Sequence, residues 1–509
     1  MSRTKRTIVN ITTSIFLQLV NMMVGFLIPQ LFLKQYGSEY YGLVSSTQQI
    51  LVYFTILEAG IGAAAIQALY KSLATNDIER TNAILVTTKK FFNRAALFYS
   101  MGLIILAIIY PLVLAGQIPP YKVVLLVVVM GLSGVIEFLI QGKYRVLLTA
   151  DQKLSTLNIF IIVSQLMGLI IRIILIKFEF DIVLVQASLT IVSIIRAFCI
   201  SLYVRKKYEN VDYDNSVLSE PLNQRKAVIL QQLAGLAVYN TPTLLLTLFT
   251  NLKVVSLYAV YNFVFSSLYS ILTYTFSVGI TASFGDLGTN KDLKKLQYIY
   301  KLYEFGYYIL FTIVYAVTTI MIIPFVKLYT LGVKDIQYID YKLAFLFVTI
   351  GLLNNIRVPM VTMVNAMGHF EQTKYRALAE AIINVSASLV LVFYFGIYGV
   401  LGGTIVSFLY RTLDMILYTN KYILNQSISV TIKRIFINIS SLIVSCFIIF
   451  RVMDKFGILI NSWWDWMLVS MLVTIAIGIV ILAANYMMEP STFRALITRF
   501  LTIRKKQKI

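Results

Sequence analysis

Long apolar segments of the chain contain four deeply placed arginines: Arg172, Arg196, Arg357 and Arg411. An ionised side chain at the centre of a membrane-spanning helix costs roughly 2.5–3.5 kcal/mol on insertion scales, so such residues normally face protein or water. The guanidinium group is a planar fork of donors that fits phosphate oxygens. We therefore predict a cationic site for a diphosphate. The alternative is that these arginines tether helices by binding a backbone carbonyl or an acid.

The positions of these arginines favour an internal cavity. Arg196 and Arg411 lie within one residue of equivalent positions in an internal sequence repeat, so they would flank a cavity between the two copies. Arg357 precedes Pro359 by two residues, and a proline inside a helix kinks it. Asp414 follows Arg411 by one helical turn, and this pair can neutralise itself.

Two acids are also placed deep in apolar segments, Glu58 and Glu137. A buried carboxyl group can act as a proton carrier because burial favours its neutral form. Both are therefore candidates for proton or sodium coupling. The alternative is that each pairs with an arginine on another helix and holds the bundle together. Glu304 and Glu380 lie near predicted cytoplasmic helix ends, where we expect solvated charges.

Amide side chains occur in the first and seventh apolar segments. They are Gln18, Asn21, Gln232 and Asn240. Amides can bind sugar hydroxyls, and these residues are candidates for sugar contacts. Hydrogen bonds between helices are the alternative.

The composition requires a membrane. Of the 509 residues, 59% are hydrophobic and 13% are charged, and the mean hydropathy is +0.80. A soluble domain carries roughly 25% charged residues. The net charge of +21 comes from basic residues between apolar runs. This pattern indicates orientation in a membrane and argues against nucleic-acid binding.

The apolar runs predict an all-α membrane protein with about 14 transmembrane helices, each of about 20 residues. The predicted spans are 8–33, 43–69, 91–114, 121–141, 157–177, 182–204, 227–250, 254–282, 303–329, 341–364, 377–396, 398–420, 435–453 and 466–487. Lysine and arginine concentrate in alternate connecting segments, 143–153 among them, and at both termini. By the positive-inside rule, both termini are cytoplasmic and the protein is a multi-pass protein of the cell (inner) membrane.

The chain repeats itself at a period near 214 residues, since residues 190–208 align without gaps over 404–422. Six helices fill one period, so we expect two six-helix lobes in parallel repeat around a central cavity, with two further helices outside. The predicted divisions are an N-lobe at 1–204, a cytoplasmic linker at 205–226, a C-lobe at 227–420, helices 13 and 14 at 435–487, and a basic amphipathic cytoplasmic tail at 488–509.

The sequence offers little for catalysis or metal binding. Cys199 and Cys446 lie in apolar segments, and His369 is the single histidine, so neither a disulfide framework nor a multi-histidine metal site is expected. The chain has no nucleotide-binding Gly-Lys loop. We predict no catalytic residue, no metal and no cofactor other than a coupling proton or sodium ion.

Several segments resemble the polysaccharide biosynthesis exporters, the Wzx-type flippases of the multidrug/oligosaccharidyl-lipid/polysaccharide (MOP) superfamily. The segments are YGSEYYGLVSSTQQ at 36–49, LEAGIGAAAIQ at 57–67, LYAVYNFVFSSLYSILTYTF at 257–276, and the turns LLTADQKLSTLN at 147–158 and NAMGHFEQTKYR at 365–376. In order, they look like the first external turn, the second helix, the eighth helix and the inner turns after the fourth and tenth helices of that family.

The resemblance implies a non-enzymatic flippase that works by alternating access. Its substrate would be polyprenyl (undecaprenyl) diphosphate bearing an oligosaccharide repeat unit, moved from the cytoplasmic to the outer leaflet for surface polysaccharide assembly. Its partners would be this lipid-linked oligosaccharide, membrane lipids, a polysaccharide polymerase and glycosyltransferases, and we expect a monomer. Lipid II flippases of the superfamily carry arginines in the first and second helices, which this chain lacks.

Two other functions stay open. An ion-coupled multidrug or metabolite antiporter of the same superfamily would usually stop at 12 spans, and a site for cationic drugs would favour acids over arginines. A membrane polymerase or glycosyltransferase acting on the same lipid would generally carry a long external loop or an acidic pair, whereas the predicted external loops are short.

Overall fold

A computed structural model of the chain describes residues 3–58, 61–114, 116–208, 226–289 and 292–506, and these residues form helices and connecting turns without β-strands. The helices are α1 Arg3–Phe54, α2 Ile61–Ala74, α3 Ile78–Val113, α4 Pro120–Ile136, α5 Gly142–Ala150, α6 Leu154–Lys177, α7 Ile182–Lys207, α8 Lys226–Phe249, α9 Leu252–Thr289, α10 Leu293–Tyr329, α11 Tyr341–Ile356, α12 Val358–Ala366, α13 Phe370–Tyr418, α14 Ser429–Lys455, α15 Trp463–Met488 and α16 Pro490–Lys506.

The helices agree with the predicted pattern of about 14 spans. Among the described residues, 11 helices are long and apolar enough to cross a membrane. Two of them, α1 and α13, are broken at Gly37 and Gly396, and each therefore supplies two of the predicted spans. In addition, α8 coincides with the span predicted at 227–250. The prediction of an all-α, multi-pass membrane protein is confirmed.

Helix ends follow local capping chemistry. Asp77, Asp181 and Asp292 each accept a hydrogen bond from a backbone N–H in the first turn of α3, α7 and α10. This contact satisfies a donor that the helix itself leaves unpaired. Ser462 and Asp465 form a capping box at the start of α15. These caps define where the spans begin.

Many large apolar side chains are exposed on the helices, among them Leu112, Phe395 and Met471. Contiguous exposed apolar surface on this scale is incompatible with water and requires lipid as solvent. The buried fraction is correspondingly modest in spans such as α15.

Contacts divide the chain into two compact units. Unit 1 comprises residues 1–259 and 332–336, and unit 2 comprises residues 260–331 and 337–509. In unit 1, α1 packs along α6 and α8, and α4 packs on α3 and α7. In unit 2, α10 is the central helix, because α11, α14, α15 and α16 all pack on it.

The helix bounds repeat at the period seen in the sequence. The helix α3 begins at Ile78 and α10 at Leu293, while α7 begins at Ile182 and the second half of α13 follows Gly396. The structure groups α8 with unit 1, whereas the sequence places it in the C-lobe. Most of the predicted linker at 205–226 lies outside the described residues. The lobe boundaries, the central cavity and the side on which the termini lie stay predictions.

Candidate functional site

Arg145 lies between two acids in unit 1. Its Nη2 binds Oε1 of Glu58, and its Nη1 donates to Oε1 of Glu137 at 3.2 Å. The Arg145 side chain is 30% exposed, so the group is half-buried rather than sealed. One guanidinium thus pairs with two carboxylates on different elements, which agrees with the helix-pairing alternative for Glu58 and Glu137.

A π-helical turn brings these groups together. Residues Glu137–Gln141 form this turn between α4 and α5, so that the two helices continue as one span from Pro120 to Ala150. Turns of this type often mark functional sites because they shift the helical register by a residue. Gln141, at the end of the turn, accepts a hydrogen bond from Nε of Arg196 on α7 at 3.3 Å.

Arg145 is absent from the predicted site residues. The sequence predicts a basic cytoplasmic segment at 143–153, in which Arg145 serves as an orientation signal. In the structure, α5 continues the helix of α4 to Ala150, and Arg145 on α5 pairs with Glu58 and Glu137. The useful signal was present in the sequence, since two acids in apolar segments require a cation nearby.

A cavity of about 610 Å³ opens beside this group in unit 1. Its walls include Glu58 and Arg145 together with Gln232 and Asn240 of α8. Two of the four amides predicted to contact sugar are therefore brought to one cavity with one of the predicted coupling acids.

The other two predicted amides lie elsewhere in unit 1. The side chain of Asn21 on α1 accepts a hydrogen bond from Nε2 of Gln165 on α6 at 2.6 Å. This is a contact between helices, the alternative given for these residues. Gln18 is half-buried on the same helix and is absent from the walls of the cavity described above.

Arg172 stands apart from the acids. It lies near the end of α6, is 7% exposed, and donates from Nε to the carbonyl of Gly168 on its own helix at 3.1 Å. Among the described residues, no carboxylate lies within ion-pair distance of Arg172. Of the four predicted arginines, it is the one held by a backbone carbonyl alone.

In unit 2, five charged side chains form a continuous network. Arg357 binds Glu380, Arg411 binds both Glu380 and Asp414, and Arg376 binds Asp414. We call Arg357, Arg376, Glu380, Arg411 and Asp414 the unit-2 charge network. Three guanidinium groups (+3) and two carboxylates (−2) give it a formal charge of +1.

Helix geometry positions this network. Arg357 sits at the junction of α11 and α12, where Pro359 interrupts the helical hydrogen bonding. Its Nη2 and Nε also donate to Oδ1 of Asn354, at 2.7 and 3.1 Å, and its guanidinium lies 4.3 Å from the centre of the Phe408 ring. The predicted site residues Arg357 and Arg411 are thus brought together, and they are only 6% and 7% exposed.

The structure corrects the expectation that Glu304 and Glu380 are solvated. Both are buried. Nη1 of Arg434 donates a hydrogen bond to Glu304 at 2.7 Å. Nη2 and Nε of Arg434 each donate to Glu489, also at 2.7 Å. Burial by itself raises the pKa of the Glu489 carboxyl, but the hydrogen bonds from Arg434 outweigh it and leave that pKa below its usual value. This second network joins α10, α14 and the junction of α15 with α16.

The two arrangements differ in what they can bind. The unit-1 group is balanced, because the charges of Glu58 and Glu137 match those of Arg145 and Arg196. The unit-2 charge network carries an excess cation and places donors from two arginines around one carboxylate. Phosphate and carboxylate oxygens accept the same fork of donors, so the unit-2 arrangement suits an anion.

The fold is shared with known transporters. A lipid II flippase, MurJ in an inward closed conformation, matches with a TM-score of 0.67 and 13% identity over 94% of this chain and 99% of that chain. An inward-facing multidrug resistance MATE family transporter of the MOP superfamily matches with a TM-score of 0.61 and 15% identity, covering 84% of this chain and 99% of that chain. A mutant of the MATE transporter VcmN from Vibrio cholerae matches with a TM-score of 0.52 and 16% identity over 83% and 98%.

At these identities the likeness concerns the fold alone. The chain has the fold of MOP superfamily transporters. No protein-family profile matches the sequence, and no curated protein is similar to it in a sequence search.

Proposed function

We propose that the chain is a flippase of the polysaccharide exporter type. It moves oligosaccharide repeat units linked to polyprenyl (undecaprenyl) diphosphate from the cytoplasmic to the outer leaflet for surface polysaccharide assembly. The observation that carries this proposal is the unit-2 charge network, in which Arg357 and Arg411 share Glu380 and one positive charge is in excess. A multidrug transporter for cations would not benefit from such an excess.

The physical problem is the passage of a bulky, charged head group through about 30 Å of hydrocarbon. An isolated diphosphate cannot be desolvated there at an accessible cost. Buried guanidinium groups compensate its charge, and a cavity that opens to one leaflet at a time shelters the sugars. The polyprenyl chain remains in the bilayer throughout.

Glu380 occupies the place that the diphosphate would take. Its two oxygens accept from Arg357 and Arg411 in the way that phosphate oxygens would. In the proposed cycle the incoming diphosphate displaces this carboxylate, and Glu380 returns when the substrate leaves. Because an internal anion competes with the substrate, binding is moderate and release into the outer leaflet is possible.

Fold similarity supports a lipid substrate. The lipid II flippase covers 94% of this chain, whereas the two multidrug transporters cover 84% and 83%. The substrate differs from lipid II in our proposal, since the chain has no arginine in the predicted spans 8–33 and 43–69. Glu58 and Glu137 remain the candidates for proton or sodium coupling, and Arg172 and Arg196 are secondary candidates for the diphosphate.

The test uses a deletion strain without paralogues. Loss of the gene should trap labelled lipid-linked repeat units on the cytoplasmic leaflet, and the wild-type gene should restore their export. Arg357→Lys combined with Arg411→Lys keeps the charge balance but loses the planar fork, so it should insert normally and fail to export. Arg451→Lys, at an exposed position on α14, is the matched control. Normal export in the deletion strain would refute the flippase assignment.

An ion-coupled multidrug or metabolite antiporter is the second candidate, because two of the compared structures with this fold are multidrug transporters. Under this alternative, the deletion strain would become more sensitive to cationic drugs while its lipid-linked sugars reached the outer leaflet normally. The two functions therefore give opposite results in the same strain.

A further inference from the structure

The cavity of unit 1 is balanced in charge. The two terminal nitrogens of Arg145 are each committed to a carboxylate, Glu58 on one side and Glu137 on the other. A diphosphate entering here would have to break one of these pairs and would then face the released carboxylate. The cavity is therefore a poor site for an anion such as a diphosphate.

One face of α8 forms another part of the cavity wall. Gln232, Gly235, Leu236, Tyr239 and Asn240 follow the i, i+3, i+4, i+7, i+8 spacing of a single helical face, and all five line the cavity. The face has an amide at each end, with a glycine, an aliphatic and an aromatic side chain between them. Such a surface presents both hydrogen-bonding groups and flat apolar area.

Two amides on this face are available to a ligand in different ways. Within the described part of the chain, the exposed amide of Gln232 has no hydrogen-bond partner. Asn240 is buried, and its Nδ2 donates to the carbonyl of Leu236 at 2.9 Å, which fixes the orientation of its amide oxygen as an acceptor. The Glu58–Arg145 pair, which also lines the cavity, adds a carboxylate acceptor beside a guanidinium donor.

The centre of the face is open. A Cβ atom added to Gly235 would meet nothing within 4 Å. The volume of about 610 Å³ lies within the range of roughly 300–1,000 Å³ that is typical of small-molecule pockets. The space is therefore large enough for a compact ligand and is unfilled by the protein's own side chains along α8.

We infer that this cavity holds sugar residues of the lipid-linked substrate, and that it is separate from the site for the diphosphate. Each sugar hydroxyl both donates and accepts, which matches paired amides and an ion pair better than it matches a cluster of one charge. The C–H face of a sugar ring packs on Leu236 and Tyr239. This inference rests on the proposed function, because it assigns the head-group part of the same substrate.

The experiment compares two lipids on the full chain in nanodiscs. The probes are undecaprenyl diphosphate carrying one N-acetylglucosamine and bare undecaprenyl diphosphate. The wild type should bind the sugar-bearing lipid more tightly. Gly235→Leu fills the open centre and Gln232→Ala removes the free amide, and each should weaken binding of the sugar-bearing lipid by about tenfold, the effect of losing one or two hydrogen bonds. Binding of the bare lipid should not change.

Gly478→Leu is the matched control, since a Cβ at that position on α15 also meets nothing within 4 Å. It should bind both lipids as the wild type does. Equal affinity of the wild type for the two lipids, or an equal loss of both lipids in Gly235→Leu, would overturn the sugar site and leave the flippase proposal intact. Failure of the wild type to bind either lipid would instead overturn the proposed function.

Discussion

Arg357 and Arg411 bind opposite oxygens of one carboxylate, that of Glu380. Arg357 comes from the junction of α11 and α12, whereas Arg411 and Glu380 lie on the two halves of α13 separated by Gly396. Removal of the shared acid would leave two guanidinium groups facing each other without their common partner. Glu380 therefore holds this region together and, in the proposed mechanism, competes with the diphosphate for the two arginines.

Glu380→Gln should bind undecaprenyl diphosphate more tightly and transport it more slowly. The internal competitor is gone and the formal charge of the network rises from +1 to +2, since three arginines then face Asp414 alone. The anion is held more strongly, and its release becomes harder for the same reason. Without bound lipid, the variant should be less stable than the wild type by about 3–5 kcal/mol, as when one partner of a buried ion pair is removed. Thermal unfolding of the purified chain, measured with and without the lipid, tests both effects, since the ligand should stabilise the variant more than the wild type.

Glu371→Gln is the control for this experiment. Glu371 also lies on α13 and pairs with Lys374, but its side chain is largely exposed. Its loss should leave the melting temperature almost unchanged, because an exposed pair contributes little to stability. If Glu380→Gln bound the lipid more weakly than the wild type, the exchange of carboxylate for diphosphate would be wrong.

Arg434→Ala should destabilise unit 2 by about 3–5 kcal/mol, because it leaves the buried Glu304 and the partly buried Glu489 without their cation. The side chain of Arg434 is 2% exposed and joins α10, α14 and the start of α16. The change should appear as a lower melting temperature in detergent. Replacing all three charges with Arg434→Met, Glu304→Leu and Glu489→Gln should recover most of the loss, since no charge is then left buried.

Arg451→Ala is the matched control on the same helix. Arg451 is exposed and lies 5.3 Å from the centre of the Phe447 ring. A surface substitution of this kind usually changes stability by less than about 0.5 kcal/mol. A melting temperature for Arg434→Ala equal to that of Arg451→Ala would show that the second network is not a structural tether.

The sequence predicts the spans well because their signal is local. Hydropathy over about 20 residues identifies a span wherever it lies in the chain. Neighbouring spans in α1 and α13 are separated by a single glycine with non-helical backbone angles, Gly37 and Gly396. The approximate number of spans and the all-α class follow from these features alone.

The sequence predicts the site less well because ion pairs form between distant segments. Glu58 meets Arg145 across 87 positions, and the contact depends on a π-helical turn that leaves no clear sequence pattern. The sequence predicts that Glu380 is solvated, because it lies near a helix end. In the structure, α13 packs against α11 and Glu380 is buried. The deep arginines and the local Arg411–Asp414 pair follow from the sequence, whereas the pairing of Glu380 with Arg357 and Arg411 depends on the packing of the helices.

Gly37→Ala should destabilise unit 1 by about 1–3 kcal/mol, because its φ of 83° and ψ of 176° belong to a region that only glycine adopts readily. An added Cβ would also lie 3.3 Å from Oδ2 of Asp335, whose carboxylate accepts from the Ser38 backbone N–H. Gly478→Ala is the control, since it sits inside a helix in open space and should raise stability slightly. Equal melting temperatures for the two variants would contradict the strain at Gly37.

The orientation of α14 tests the predicted topology, because Ser427 and Asn461 are exposed at its opposite ends. Cytoplasmic termini require Ser427 inside and Asn461 outside. In a background of Cys199→Ala and Cys446→Ala, Asn461→Cys should react with a membrane-impermeant maleimide in right-side-out vesicles. Ser427→Cys should react only after the vesicles are opened. The reverse pattern would place both termini outside, and the diphosphate would then meet the unit-2 charge network from the other leaflet.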